Sequence, residues 1–148
     1  AKGEVVFGGE ESAGMSIGGH VPETDGILAG ALVAEMVAFT GQTIQDLLKD
    51  LFKRVGTTFT TRQDLPISEH LMEQVKRVIE HPPSVFAGME VIHMNKLDGC
   101  KLILQDDSWY LFRLSGTESL IRCYGEAKTP ERLTAIMDAG KELLHLPE

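Results

Sequence analysis

A chain of 148 residues with 43% hydrophobic and 24% charged side chains is ordinary globular material, enough for one medium domain or two small ones, and its composition is neither disordered nor fibrous. The formal net charge of -8 argues against nonspecific binding to nucleic acid or to an anionic membrane, since both partners need a basic face, so any anion site has to be local. The two cysteines, Cys100 and Cys123, each lie inside an apolar strand-like run and read as buried structural thiols in a reducing compartment, which favours the cytoplasm.

The chain opens at AKGEVVFGG, directly in a strand-like run over residues 3–7, without a signal-peptide pattern or an initiator methionine, so a fragment of something longer is expected. GGEESAGMSIGGHVPETDG then forms a polar, glycine-rich connection containing Pro22. The longest apolar segment, residues 27–39 (ILAGALVAEMVAF), falls short of the about 20 residues that span a bilayer and carries Glu35 near its centre. A buried helix is expected there, capped by Thr24 or Asp25 and ended by Gly41. In TIQDLLKDLFKRVG, residues Ile44, Leu47, Leu48, Leu51 and Val55 fall on one helical face, Thr43 and Asp46 form a capping-box variant, and Gly56 is the stop.

After Gly56 the pattern changes. TTFTTRQDLP is β-like as far as Pro66; Ser68 caps a helix to His81 with Leu71, Val75, Val78 and Ile79 as its apolar stripe, and Pro82 and Pro83 terminate it. EVIHMN, KLILQ, WYLFR and LIRCY are short β-rich runs, and the turn signals at Asp98-Gly99 and Asp106-Asp107-Ser108 imply an antiparallel meander. A last helix starts at Thr129 with Pro130 in its first turn and buries Leu133, Ile136, Met137, Gly140, Leu143 and Leu144. A boundary near residues 56–60 follows: residues 1–57 are the helical remainder of an α/β unit, and residues 58–148 are a compact α+β domain.

Two polar loops stand out. In FRLSGTESLIRCYG, residues two apart on the strand share a face, so Trp109, Leu111, Arg113 and Ser115 project together. Arginine's planar fork suits a phosphate, Ser115 and Thr117 add hydroxyls, Gly116 allows consecutive amides to turn inward as an anion nest, and Arg122 brings a second positive charge on the returning strand. The same stretch is also readable as a polar hairpin loop flanked by solvated arginines that discourage edge pairing. In GGEESAG, Glu10 and Ser12 follow a strand directly, where ligands of α/β units sit, and a carboxylate accepts hydrogen bonds from sugar hydroxyls. Taken alone this segment reads first as a flexible acidic surface loop; a metal or acid-base role is disfavoured because adjacent Glu10 and Glu11 tend to diverge in an extended segment. The five histidines, His20, His70, His81, His93 and His145, show no metal-ligand spacing.

GGEESAG, followed by GGHVPETDGILAGALVAEM and, about a hundred residues later, RLSGTESLIRCYGEA, resembles the C-terminal part of the α-D-phosphohexomutases, the phosphoglucomutase and phosphomannomutase family, over essentially the whole chain. The resemblance implies an α+β fold: a TATA-binding-protein-like C-terminal domain, an antiparallel sheet with two helices, preceded by the helical end of an α/β domain. It makes Glu10 and Ser12 the sugar contacts and Arg113, Ser115, Gly116 and Thr117 the phosphate cradle, with His20 and Arg122 as additional candidates; a structural role for His20 is the simpler expectation. Ala13 stands where the family often has glycine, and Ser119 replaces a common proline. The family's phosphoserine loop and aspartate-rich Mg²⁺ site have no counterpart in these residues. The implied whole is a cytoplasmic phosphoglucomutase, interconverting glucose 1-phosphate and glucose 6-phosphate with Mg²⁺ and further N-terminal domains, of which this part alone is inactive. Phosphomannomutase and phosphoglucosamine mutase activities are the neighbouring alternatives. A non-catalytic phosphate-binding or interaction module is the rival from another class.

Overall fold

The computed structural model describes residues 6–10, 14–21 and 23–144. They fall into two units, residues 1–55 and 56–148. In the first, β1 (Phe7–Gly9) pairs antiparallel with β2 (Met15–Ile17), Phe7 opposite Ile17. The second strand lies within the stretch expected to be all loop, because three residues are too few to display an alternation. The expected strand at residues 3–7 falls largely outside the described residues.

Helix α1 (Gly26–Thr40) starts at Asp25, whose Oδ1 accepts hydrogen bonds from the amides of Ile27 at 3.0 Å and Leu28 at 2.9 Å. It stops at Gly41, where φ of 66° lets the amide reach back to the Val37 carbonyl at 2.9 Å. Helix α2 (Ile44–Val55) follows with its axis turned by 85°. Thr43 caps it reciprocally, Asp46 N donating to Thr43 Oγ1 at 3.2 Å and Thr43 Oγ1 donating to Asp46 Oδ2 at 2.7 Å.

One expectation fails here: α1 buries none of its residues, and Ile27 and Phe39 are about nine-tenths exposed. A helix that is apolar all round needs cover on every side, and among the described residues of this unit only a small hairpin and one further helix accompany it. The apolar face of α2 is likewise open at Ile44, Leu48, Leu51 and Val55, and the two helices enclose a cleft of about 510 Å³ lined by Met36, Ile44, Leu47, Leu48 and Leu51. No single helix among the described residues is long and apolar enough to cross a membrane.

In the second unit, six antiparallel strands form one sheet: β3 (Phe59–Pro66), β4 (Val85–Phe86), β5 (Met89–Asn95), β6 (Cys100–Leu104), β7 (Trp109–Leu114) and β8 (Leu120–Ala127), in the order β3-β8-β7-β6-β5-β4. The meander from β5 to β8 is as its turns imply. The pairing of β3 with β8 is not written locally, since it joins segments separated by the whole meander. Helices α3 (Glu69–Glu80) and α4 (Pro130–Leu143) have the expected caps: Ser68 Oγ accepts from Leu71 N at 3.1 Å, and Thr129 Oγ1 accepts from Arg132 N at 3.2 Å.

Strand alternation then makes the core. Cys100, Leu102 and Leu104, Tyr110 and Phe112, and Ile121, Cys123 and Ala127 are buried together with Leu71, Val75 and Val78 of α3 and Ile136 of α4. The fold is α+β, as expected. Arg132 ties α4 to two turns, donating from Nε to Asp106 Oδ2 at 2.9 Å and from Nη1 to the Ala87 carbonyl at 2.5 Å.

The tightest approach in this core is at Gly140, where a Cβ would sit 2.4 to 2.6 Å from three atoms of the buried Tyr110 ring end. Tyr110 is itself stacked on Phe86 with ring centroids 5.3 Å apart, so it has little room to yield. Gly140→Ala is expected to destabilise the second unit by about 2 kcal/mol through overpacking, read as a lower midpoint in urea denaturation.

Candidate phosphate-binding site

Burial of Tyr110 and Phe112 on β7, and of Ile121 and Cys123 on β8, sends the intervening residues to the other face of the sheet. Arg113 stands opposite Arg122 in register, Arg122 opposite Asp64, and Tyr124 between Leu111 and Arg62. Three arginines therefore share one face beside the loop of residues 115–119 that links β7 to β8. The Tyr124 ring lies between two of them, with the Arg113 guanidinium 5.9 Å and that of Arg62 6.0 Å from its centroid. Further along the same face, Lys101 Nζ stands 3.7 Å from the Trp109 ring centroid.

Each arginine has its own carboxylate. Arg62 grips Asp64 at two points, Nε to Oδ1 at 2.7 Å and Nη2 to Oδ2 at 2.5 Å, and this holds the Asp64 carboxyl below its usual range. Arg122 donates from Nη2 to Glu118 Oε2 at 2.7 Å, a bond that raises the guanidinium pKa further. Arg113 has the loosest partner, Asp98 Oδ2 at 3.5 Å from Nη1, and the Asp98 side chain is 73% exposed.

Asp98 belongs to the turn between β5 and β6. Its neighbour Gly99 has φ of 92°, and a Cβ there would come within 2.3 Å of the Phe112 carbonyl oxygen and 2.5 Å of Arg113 Cβ. Only glycine lets this turn press against β7.

The loop is closed at its base by Ser115 N donating to the Leu120 carbonyl at 2.9 Å, and tied to β3 by Ile67 N donating to the Ser119 carbonyl at 3.1 Å. Ser115 Oγ accepts from Thr117 N at 3.4 Å and Glu118 N at 3.2 Å. This corrects the expected nest: those two amides are turned onto the serine oxygen, and Gly116 is not in the left-handed region. A Cβ at Gly116 would meet nothing within 4 Å. Its smallness leaves the outer side of the loop open to an approaching group.

The other loop is only partly in view. Glu10 N donates to the Gly14 carbonyl at 2.8 Å, closing the turn between β1 and β2. Ser12 lies outside the described residues. His20 Nε2 is 3.3 Å from Oδ2 of Asp25, the α1 cap. The cap amide of Leu28, and then His20, keep that carboxyl below the usual range. Among the described residues, no group of three or more His, Cys, Asp or Glu side chains could hold a metal ion.

The residues that sequence reasoning passed over are Asp98, Glu118, Arg62, Asp64 and Tyr124. Arg62 and Asp64 carry one local signal, opposite charges two apart on a strand. The pairing of Asp98 with Arg113 has none, because it depends on which strands become neighbours.

Two family models match the chain: phosphoglucomutase/phosphomannomutase, alpha/beta/alpha domain III, over residues 1–55, and the phosphoglucomutase/phosphomannomutase C-terminal domain over residues 70–142. The chain belongs to the α-D-phosphohexomutase family. It is 34% identical over 139 residues to a "Probable phosphoglucosamine mutase" of Pyrococcus furiosus, covering 94% of this chain and 29% of that protein. It is 30% identical over 158 residues to a phosphoglucomutase of Komagataeibacter xylinus, covering 96% and 28%. A crystal structure of a phosphoglucomutase/phosphomannomutase family protein from Burkholderia thailandensis matches with a TM-score of 0.65 at 20% identity, over 95% of this chain and 28% of that one, which shows a shared fold. The chain thus spans less than a third of the length of these relatives.

Since Ser115 Oγ is the acceptor that folds the loop, Ser115→Ala is expected to speed hydrogen exchange at the amides of Thr117 and Glu118 roughly fivefold, corresponding to about 1 kcal/mol. Unchanged exchange at both amides would mean that the loop is held by its base alone.

Proposed function

We propose that this chain is the sugar- and phosphate-holding part of an enzyme that interconverts the 1- and 6-phosphates of a hexose. The observation that carries this reading is Arg113: a half-buried guanidinium whose one carboxylate partner among the described residues is long and exposed, beside an open hydroxyl loop in the matched C-terminal domain. Its fork can donate two parallel hydrogen bonds to a phosphate. The Ser115 oxygen is already occupied as an acceptor, so its O–H is left to donate, and Thr117 supplies a second hydroxyl. Gly116 permits close approach. Glu10 and Ser12 take the sugar hydroxyls in this proposal, whereas His20 and Arg122, engaged by Asp25 and Glu118, serve structure rather than substrate.

Among the described residues, no cluster of carboxylate, imidazole and thiol side chains fits the Mg²⁺ that membership implies, and we place the reacting phosphoserine outside this chain as well. In this reading they belong to N-terminal domains of the kind that make up the rest of the relatives' length, and the complete protein works in the cytoplasm. Charge stabilisation and positioning dominate phosphoryl transfer. This part contributes positioning, by fixing the phosphate that is not being transferred.

Glucose phosphate is the first substrate to test. Amino-sugar phosphate is a second reading, favoured by the name phosphoglucosamine mutase that several relatives carry. A substrate panel on the full-length enzyme decides between them, and the 148-residue chain alone is expected to show no turnover with any of them. A non-catalytic module would show none at full length either.

Binding is testable directly. In an NMR titration of the 148-residue chain, inorganic phosphate and glucose 1-phosphate are expected to shift the amides of Ser115, Gly116, Thr117 and Glu118 most, with a Kd on the order of millimolar, equivalent to about -4 kcal/mol. Arg113→Ala should abolish the shifts. If residues 58–148 form a domain, as proposed, that segment alone should give the same titration; failure of the segment to fold would count against the boundary.

A further inference from the structure

Two carboxylates stand at the phosphate loop, and they differ in what they hold. Glu118 is in the loop and bonds at 2.7 Å to Arg122, a residue four positions on whose side chain is only 19% exposed. Arg122 stands on β8 opposite Asp64 and Arg113, and its Nε is buried without a hydrogen-bond partner. The pair therefore draws the loop back onto the strand. The Glu118 amide is held on Ser115 Oγ as well, so this residue is fastened at both ends.

Asp98 is outside the loop and is fastened only by its turn. Gly99 wedges that turn against Phe112 and Arg113, which fixes where the carboxylate is offered, while the contact itself is 3.5 Å long and the Asp98 side chain largely in water. The third pair, Arg62 with Asp64, is bidentate and short. Of the three guanidiniums, that of Arg113 is the one an incoming anion can win.

We propose that the two acids act in opposite senses: Glu118, through Arg122, clamps the loop in the shape that receives phosphate, whereas Asp98 is a latch that occupies Arg113 until a phosphate displaces it. Both are positioning residues, and the proposal rests on the reading that this loop binds phosphate. A dianion offering two oxygens to the Arg113 fork outcompetes one carboxylate at long range. Plain through-space charge makes a different forecast, namely that neutralising either acid tightens phosphate binding.

The test is an NMR titration of the 148-residue chain and its variants with inorganic phosphate, at low and high ionic strength. Asp98→Asn is expected to tighten binding about two- to fivefold at low salt, the scale of an exposed ion pair, with the gain fading as salt screens the pair. Glu118→Gln is expected to weaken binding about three- to tenfold, the scale of one hydrogen bond made or lost. Glu118→Asp keeps the charge but shortens the reach. It should weaken binding too, which through-space charge alone does not predict and which guards against a fold defect particular to Gln. If wild type responds but both neutralisations tighten binding, or Asp98→Asn changes nothing, the proposal falls and the phosphate reading stands. If the loop amides of wild type and all variants ignore phosphate, the phosphate reading falls and takes the proposal with it.

Discussion

The parity of β7 and β8 is the constraint on which the site depends. Tyr110, Phe112, Ile121 and Cys123 are almost wholly buried, and each forces its strand neighbour to the opposite side of the sheet. Arg113, Arg122 and Tyr124 are thus aimed by residues they do not touch. A slip of one residue in the pairing would exchange the two sets, burying guanidiniums against α3 and α4, a cost no local rearrangement could offset. The Gly140 contact with the Tyr110 ring works to the same end from the helix side, since the close fit is available only in one register.

Three arginines on one face of a chain with net charge -8 present an electrostatic problem that the structure solves pairwise. Asp64, Glu118 and Asp98 each pair with one guanidinium, and the Tyr124 ring lies near those of both Arg62 and Arg113. The pairs are graded in distance and in the exposure of the acid, from bidentate at Asp64 to long and wet at Asp98. A local anion site can be built in this way without a basic surface. In the proposed site the ligand would replace one carboxylate rather than fill a pool of unpaired positive charge.

How far all this was legible follows from the range of the interactions involved. Caps are local, so Asp25, Thr43, Ser68 and Thr129 could be found from a few neighbouring residues, and the meander followed from its turns. The loop and Arg113 were visible as chemistry interrupting a strand. Pairing of β3 with β8, and with it the approach of Arg62 to Tyr124, depends on contacts across more than fifty residues and leaves no periodic trace. The same holds for Asp98, which reaches Arg113 only because β6 lies beside β7. Gly116 misled for another reason: glycine has two uses, backbone freedom and lack of bulk, and the sequence does not say which is in force.

The register of the central strands also settles the chemistry of the two thiols. Cys100 faces Phe112 across one ladder and Cys123 faces Phe112 across the next, so the aromatic ring stands between them and they are two strand spacings apart, about 9.6 Å. That exceeds the roughly 7 Å within which Cα atoms can be bridged. Both sulfurs are buried, and burial pushes both thiols up, away from the reactive thiolate. An alkylating reagent can therefore reach them only when the core between the sheet and its helices opens, and the rate at which the native protein consumes such a reagent becomes a clock for those rare openings, one thiol on each side of β7.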